Sequence, residues 1–184
     1  VTDRRQRQMC IRDRSTITLS GFVGSETLTS SNLSSFNNKN VGTGKTVTVN
    51  SITLANGTNG GLATNYSISS GQNTTANITA KALTVSGITA SNKTYDGNNA
   101  ATLDTMSLFY NGIVAGDDFT GTYSGVFANA NVGTNKTVTI TSTYSGADVG
   151  NYTVTNQSSA TGNIVAKTLT ATASAANKVY DATN

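Results

Sequence analysis

The stretch FANANVGTNKTVTI, from Phe127 to Ile140, decides the fold class. In its second half Val138 and Ile140 fall on one face of an extended chain, while Thr137 and Thr139 fall on the other. Such alternation is typical of a strand that buries one face, and the β-branched side chain of Thr suits the solvent face of a sheet. No stretch has helical apolar spacing of useful length, so the sequence predicts an all-β protein.

This stretch also occurs earlier in the chain, as FNNKNVGTGKTVTV from Phe36. A second pair of matches is NITAKALTVSG from Asn77 and NIVAKTLTATA from Asn163. A third is NKTYD from Asn92 and NKVYD from Asn177. Because the matches follow one another in the same order, they indicate tandem repetition.

The matches divide the chain into four parts. Residues 15–91 are predicted to be the later part of one β-repeat and residues 92–176 a complete repeat. Residues 177–184 read as the start of a third repeat, and residues 1–14 as a non-native artefact. We therefore interpret the sequence as a window cut from a longer tandem array.

The first segment, VTDRRQRQMCIRDR, shares neither composition nor pattern with the rest. Its residues 9–14 resemble a translated transposon end of the kind used to tag DNA for sequencing, which favours an artefact over a basic binding arm. It holds all five Arg and the only Cys, Cys10. The remaining chain has seven Lys and seven acidic residues, with the Lys scattered singly, so no nucleic-acid partner is predicted.

Five motifs together resemble the YDG repeats of bacterial surface and secreted adhesin-like proteins, of the filamentous haemagglutinin type. They are NKTYDGNNAATL (92–103), GIVAGDDF (112–119), FANANVGTNKTVTI (127–140), SGADVGNYTV (145–154) and NIVAKTLT (163–170). The chain departs from the family pattern at Ala80 and Ala166, where Pro is frequent, and at Ala182, which replaces the Gly of YDG. The resemblance implies an extracellular β-domain, repeated in large exoproteins of mainly Gram-negative bacteria that are often linked to attachment.

The YDG motif is interpreted as a structural turn. Tyr95 and Tyr180 are expected to bury their rings at a domain end, and Asp96 and Asp181 to accept N–H bonds within the turn. Gly97 is expected to take a positive φ. Each of these roles is structural rather than catalytic.

The motif DVGNY resembles the turn before strand F of immunoglobulin-like domains, in which a Tyr folds back to bond upstream backbone. Asp148, Gly150 and Tyr152 carry it, and the first copy retains only Tyr66. With short strands separated by Gly, Asn and Asp clusters, this predicts small immunoglobulin-like β-sandwich repeats, with a β-grasp-like repeat as the alternative. Gly133 is expected in the tight turn before the KTVT strand.

Few side chains could support catalysis. The chain has no His, and its acidic residues after Asp13 lie mostly in turns, so we predict no enzyme, no cofactor and no metal site. Two carboxylates adjoin each other only at Gly116-Asp117-Asp118. Ca²⁺ is the alternative there to a solvated turn, but Ca²⁺ takes ~6–8 oxygen ligands.

The junction NIVAKTLTATASAANKVYD, from Asn163 to Asp181, contains neither Pro nor a Gly-Ser linker. We predict one strand running from repeat to repeat, a stiff joint and an elongated rod. The expected function is a structural stalk or spacer, extracellular or on the outer bacterial surface, that projects a distal adhesive or effector region. Its partners would be neighbouring repeats, with no membrane insertion in this segment.

The alternative function is that the repeats themselves bind a host glycan or matrix protein. It requires an exposed aromatic or polar cluster at the same place in every copy, and the candidates are Phe109, Tyr110 and Tyr144. We expect the first two to have counterparts only before Ser15 in the first copy, and Tyr144 to align with Leu54. The pattern therefore favours the stalk.

Overall fold

A computed structural model describes residues 16–182, and within that range the fold is all-β, which confirms the predicted fold class. The predicted artefact at residues 1–14 lies outside this range. No helix in the described range is long and apolar enough to cross a membrane. The strands are β1 (Leu28–Phe36), β2 (Gly42–Asn56), β3 (Asn73–Ile78), β4 (Lys81–Ser86), β5 (Thr89–Ala90), β6 (Lys93–Thr94), β7 (Ala100–Ala101), β8 (Leu103–Asp104), β9 (Phe109–Asn111), β10 (Thr120–Phe127), β11 (Gly133–Ser145), β12 (Tyr152–Thr155) and β13 (Ser159–Val165).

The chain forms two compact units that divide between Lys81 and Ala82. The first runs to Lys81 and includes Gly150–Thr153, and the second comprises the remaining residues from Ala82 onward. The sequence repeat was phased from Asn92, whereas the second folded unit already includes most of β4 and all of β5. In a tandem sequence the start of the repeat can be set at any residue, but a folded unit has a definite boundary, which here lies between Lys81 and Ala82.

Both copies build the same antiparallel arrangement of three strands. β1, β2 and β3 form one sheet, and β10, β11 and β13 are neighbours in a sheet of order β6-β13-β11-β10-β7. Gly42 pairs with Ile78 in the first copy and Gly133 with Ile164 in the second, and each ladder shifts register just after the Gly. The sequence repeat is therefore a structural repeat, including its β-bulge.

A repeated Asn side chain supports this bulge. Gly44 and Asn135 occupy the same position, with φ of 59° and 49°. The N–H of Gly44 donates to Oδ1 of Asn77 at 2.8 Å, and that of Asn135 to Oδ1 of Asn163 at 2.7 Å. Gly and Asn are the residues that enter this left-handed region most readily, which explains why both copies keep one of them here.

The core of the second unit lies on one face of its larger sheet. Phe127, Val138 and Ile164 are almost fully buried. Three partly buried side chains pack against them, from β5, β7 and β8: Ala90, Ala101 and Leu103. A Cβ added to Gly125 would lie 2.7 Å from the Leu103 side chain, so glycine in β10 permits this close packing.

A further sheet has the order β12-β4-β9. Its central strand reads KALTVS, and Leu83 and Val85 are buried while Thr84 between them is exposed. Ile88, just after the strand, is also buried. Period-two alternation thus places the apolar side chains of β4 in the core.

The predicted continuous strand from Asn163 to Asp181 is wrong. β13 ends at Val165, and residues 166–182 contain no strand. At the earlier junction β3 likewise ends at Ile78, and β4 then starts in another sheet. The K-x-L-T sequence therefore begins a new sheet, and it needs partner strands that residues 166–182 do not have in this structure.

Candidate functional site

The YDG motif forms a locally bonded turn, as predicted for Asp96 and Gly97. Lys93 Nζ lies 2.8 Å from Asp96 Oδ1, which also accepts the N–H of Asn98 at 3.1 Å. The hydrogen bond from Lys93, and then that from the Asn98 backbone, hold the pKa of Asp96 below its ordinary value. Gly97 has a φ of 83°.

The third copy repeats part of this turn. Lys178 and Asp181 form an ion pair of 2.9 Å, and Ala182 has a φ of 55°. The expectation of buried rings is wrong, because Tyr95 is 42% exposed and Tyr180 is 91% exposed. Tyr95 contributes instead through its backbone N–H.

The backbone of the YDG segment joins the larger sheet of the second unit. β6 pairs with β13 in parallel, and the N–H of Tyr95 donates to the carbonyl of Val165 at 2.8 Å. Asn92 Oδ1 accepts the N–H of Asn163 at 2.8 Å. The residues before the motif therefore add the edge strand β6 beside β13 in this sheet.

Asp118 and Asp148 hold two loops together by reciprocal hydrogen bonds. The N–H of Asp118 donates to Asp148 Oδ2 at 3.0 Å, and the N–H of Ala147 donates to Asp118 Oδ2 at 2.9 Å. Asp148 is only 8% exposed. Asp117 N–H donates to the carbonyl of Val114 at 3.1 Å, within the turn that contains Gly116. The Asp118 and Asp148 carboxylates thus act as acceptors of backbone N–H groups, as turn-forming residues do.

No metal cluster occurs in the described part of the chain. Among residues 16–182, no three Cys, Asp, Glu or His side chains are grouped as ligands. The Asp118 carboxylate accepts the N–H of Ala147, as a turn-forming aspartate does.

Each copy has a Tyr directly after a single 3₁₀ turn, and these are Tyr66 and Tyr152. Tyr66 folds back as predicted: its hydroxyl accepts the upstream N–H of Val23 at 3.1 Å and donates to Glu26 Oε2 at 2.5 Å. The hydrogen bond to Glu26 raises the pKa of Tyr66 above its ordinary value. Its ring also meets Phe22 edge-on, with centroids 5.8 Å apart. Tyr152 is 8% exposed.

Four rings of the second unit form what we call the aromatic cluster: Tyr110, Phe119, Tyr123 and Tyr144. The ring centroid of Phe119 lies 5.3 Å from that of Tyr110 and 5.3 Å from that of Tyr144. The hydroxyls of Tyr110 and Tyr123 are 3.0 Å apart, and Tyr144 donates to Asn156 Oδ1 at 2.7 Å. Burial, and then the Tyr110 hydroxyl, raise the pKa of Tyr123. The cluster therefore combines ring packing, edge-on between Tyr110 and Phe119 and tilted between Phe119 and Tyr144, with hydrogen-bonded hydroxyls.

The first copy has counterparts for this cluster, contrary to the expectation for Tyr110. Gly21 and Gly112 both have a left-handed φ, of 90° and 101°. In each copy a turn follows, with Glu26 N–H bonded to the Val23 carbonyl at 3.2 Å and Asp117 N–H to that of Val114 at 3.1 Å. By this correspondence Leu19 is the counterpart of Tyr110, and it lies after Ser15 rather than before it.

The aromatic character of the cluster is not repeated. At the places of Tyr110, Phe119 and Tyr144 the first copy has Leu19, Leu28 and Leu54, which line one hollow. Phe109, the other predicted binding residue, is 61% exposed, and its counterpart is Thr18. These candidate binding residues therefore occur in one copy only.

One repeated interaction escaped the sequence analysis. Lys45 Nζ donates to Asn38 Oδ1 in the first copy, and Lys136 Nζ donates to Asn129 Oδ1 at 2.6 Å in the second. Both lie inside the longest matched stretch, so the signal was present as a repeated N-x-N…K spacing. It was missed because side-chain bonds across a loop have no periodic signature.

These features define a tandem repeat of small β-domains held by turns and bulges. The chain belongs to the YDG domain family, whose profile matches residues 10–76 and 79–161. A search of curated proteins and a search of solved structures each found no match.

Proposed function

We propose that this chain is a structural stalk or spacer segment of a large bacterial adhesin, secreted or on the outer cell surface, that projects a distal adhesive or effector region. Its repeats act as tandem immunoglobulin-like sandwiches arranged as an elongated rod. Their partners are neighbouring repeats of the same chain. The lack of an α-helix among residues 16–182 favours a sandwich over a β-grasp-like repeat.

One observation supports the proposal: the two copies share their strand register and supporting hydrogen bonds but not the side chains of the candidate binding site. The Lys–Asn bond, the Asn-supported bulge and the register recur in both copies. Three of the four rings of the aromatic cluster are replaced by leucine in the first copy, Tyr123 is replaced by Asn32, and the exposed Phe109 is replaced by Thr18. Repeats that keep the same strand register and supporting bonds while these side chains differ are expected of a spacer.

The second candidate is binding of a host glycan or matrix protein. The exposed Phe109 beside the aromatic cluster of the second unit supports it, because ligand sites combine aromatic surface with a few placed polar groups. The sequence-based alternative placed a site in every copy, whereas this candidate places one in the second unit alone; the stalk proposal places none in either.

A binding screen separates the two candidates. The chain is applied at physiological salt to glycan arrays and immobilised matrix proteins, beside the variant Phe109→Ala. The stalk proposal expects no saturable binding by either protein. Saturable binding that Phe109→Ala weakens by tenfold or more would replace it with the second candidate.

A further inference from the structure

The second unit begins and ends on interior strands. Its first strand, β4, is the central strand of the order β12-β4-β9. Its last strand in the described range, β13, lies between β11 and β6 and ends at Val165. An edge strand can be peeled from its single neighbour, whereas an interior strand must break the ladders on both sides. Tension applied from the two sides of this unit therefore acts on strands that are held twice.

Strand β6 makes β13 an interior strand, and the two strands pair in parallel. Two further hydrogen bonds flank their short ladder. The N–H of Tyr95 donates to the carbonyl of Val165 at 2.8 Å, and the N–H of Asn163 donates to Asn92 Oδ1 at 2.8 Å. Tension that reaches both strands pulls them in opposite directions along their length, because β6 precedes β13 in the chain and runs the same way. The bonds between them are then strained together rather than one after another.

The YDG turn holds β6 to the opposite edge of the same sheet. In the order β6-β13-β11-β10-β7 the two edge strands are β6 and β7, and the turn joins them directly along the chain. Lys93 Nζ donates from β6 to the carbonyl of Ala100 in β7 at 3.2 Å and to Asn98 Oδ1 at 2.8 Å. Asp96 binds the same Nζ. The sheet is therefore curled so that its two edges meet at this turn.

We propose that β6, the YDG turn and β13 form a mechanical clamp that lets the second unit bear tension along the chain. The turn keeps β6 in place, and β6 keeps the end of β13 in the sheet. A spacer needs only length, so resistance to force goes beyond the proposed function. The biological load rests on the stalk proposal, but the resistance itself can be measured whether or not the chain is a stalk.

Single-molecule force spectroscopy on the 184-residue chain tests the clamp. The exposed positions Ala80 and Ala166 flank the second unit, and each is changed to Cys as an attachment point, with Cys10→Ser. Asn92→Ala should raise the unfolding rate at constant force by about fivefold to tenfold, because one hydrogen bond to β13 is lost. Asn92→Asp keeps an acceptor oxygen and should restore the original rate.

A second pulling direction distinguishes a clamp from general destabilisation. The attachment point at Ala166 is moved to the exposed Asn131, between β10 and β11, so that the end of β13 is no longer pulled. Asn92→Ala should then have a much smaller effect on the unfolding rate. Equal acceleration in both directions, or none when force acts at Ala166, would overturn the clamp. Either result leaves the length of the protein unchanged, so the stalk proposal is tested separately by scattering.

Discussion

At the scale of single residues, polar side chains of this protein mainly hold backbone in place. Asp96, Asp118 and Asp148 each accept main-chain N–H groups. The turn role of Asp96 was predictable from the sequence, because Asp followed by Gly is a local signal. The bond between Asp118 and Asp148 was not, because it joins loops whose proximity only the sheet register determines.

The buried Asp148 carboxylate should matter for stability. Asp148→Ala leaves the N–H of Asp118 without its acceptor, and we expect the free energy of unfolding to fall by about 1–3 kcal/mol. Urea unfolding measures the change. The exposed Asp104 also accepts a backbone N–H, from Met106 at 2.9 Å. Asp104→Ala should cost less than about 1 kcal/mol, and equal losses would contradict the assigned role.

Asp96 should titrate at low pH. Its folded pKa lies below its unfolded value, so the stabilisation is present above the unfolded pKa and is lost as the pH falls through the folded pKa. Carboxyl NMR should show a midpoint below the ordinary 3.8 that rises toward it in Lys93→Met. Lys178→Met, which removes the ion pair of the third copy, is the control and should leave the Asp96 midpoint in place.

The left-handed residue of the bulge gives a further test. Asn135→Gly should leave stability unchanged or raise it slightly, because glycine enters a φ of 49° freely. Asn135→Val should cost about 1–2 kcal/mol, since a β-branched residue is strained in this region. Thermal unfolding of both variants measures the difference, and the reverse ranking would show that the bulge does not require this conformation.

At the scale of strands, alternation predicted much of the fold. Val138 and Ile140 are buried between exposed Thr residues, as the sequence indicated. The predicted continuous strand at the junction was wrong. KTLTAT has the alternating pattern of a strand, but a strand forms only where partner strands are available. The pairing of the YDG segment with β13 was also beyond the sequence, since parallel pairing joins residues far apart in the chain.

Strand β13 offers a matched pair of substitutions. Ile164 is almost fully buried, and its neighbour Val165 is 50% exposed on the other face. Ile164→Ala should destabilise the second unit by about 2–5 kcal/mol, whereas Val165→Ala should cost less than about 1 kcal/mol. Urea unfolding followed by Tyr fluorescence measures both. Similar losses from the two variants would contradict the register of β13.

At the scale of the whole molecule, the chain is a repeated structural unit. The two copies agree in register, bulge and side-chain bonds, and they differ in the side chains of the aromatic cluster. That agreement could be inferred from the sequence matches. The boundary between the two folded units at Lys81 could not, because the sequence matches do not show where a repeat begins in the fold.

If the repeats act as a spacer, the maximum dimension of the protein should increase with the number of repeats. Small-angle scattering on this chain, and on versions extended by one and two further repeats, measures the maximum dimension. The scattering is recorded at concentrations where each protein is monomeric. A maximum dimension that increases by a constant step with each repeat is the predicted result. A compact particle whose maximum dimension barely grows as repeats are added would contradict the stalk.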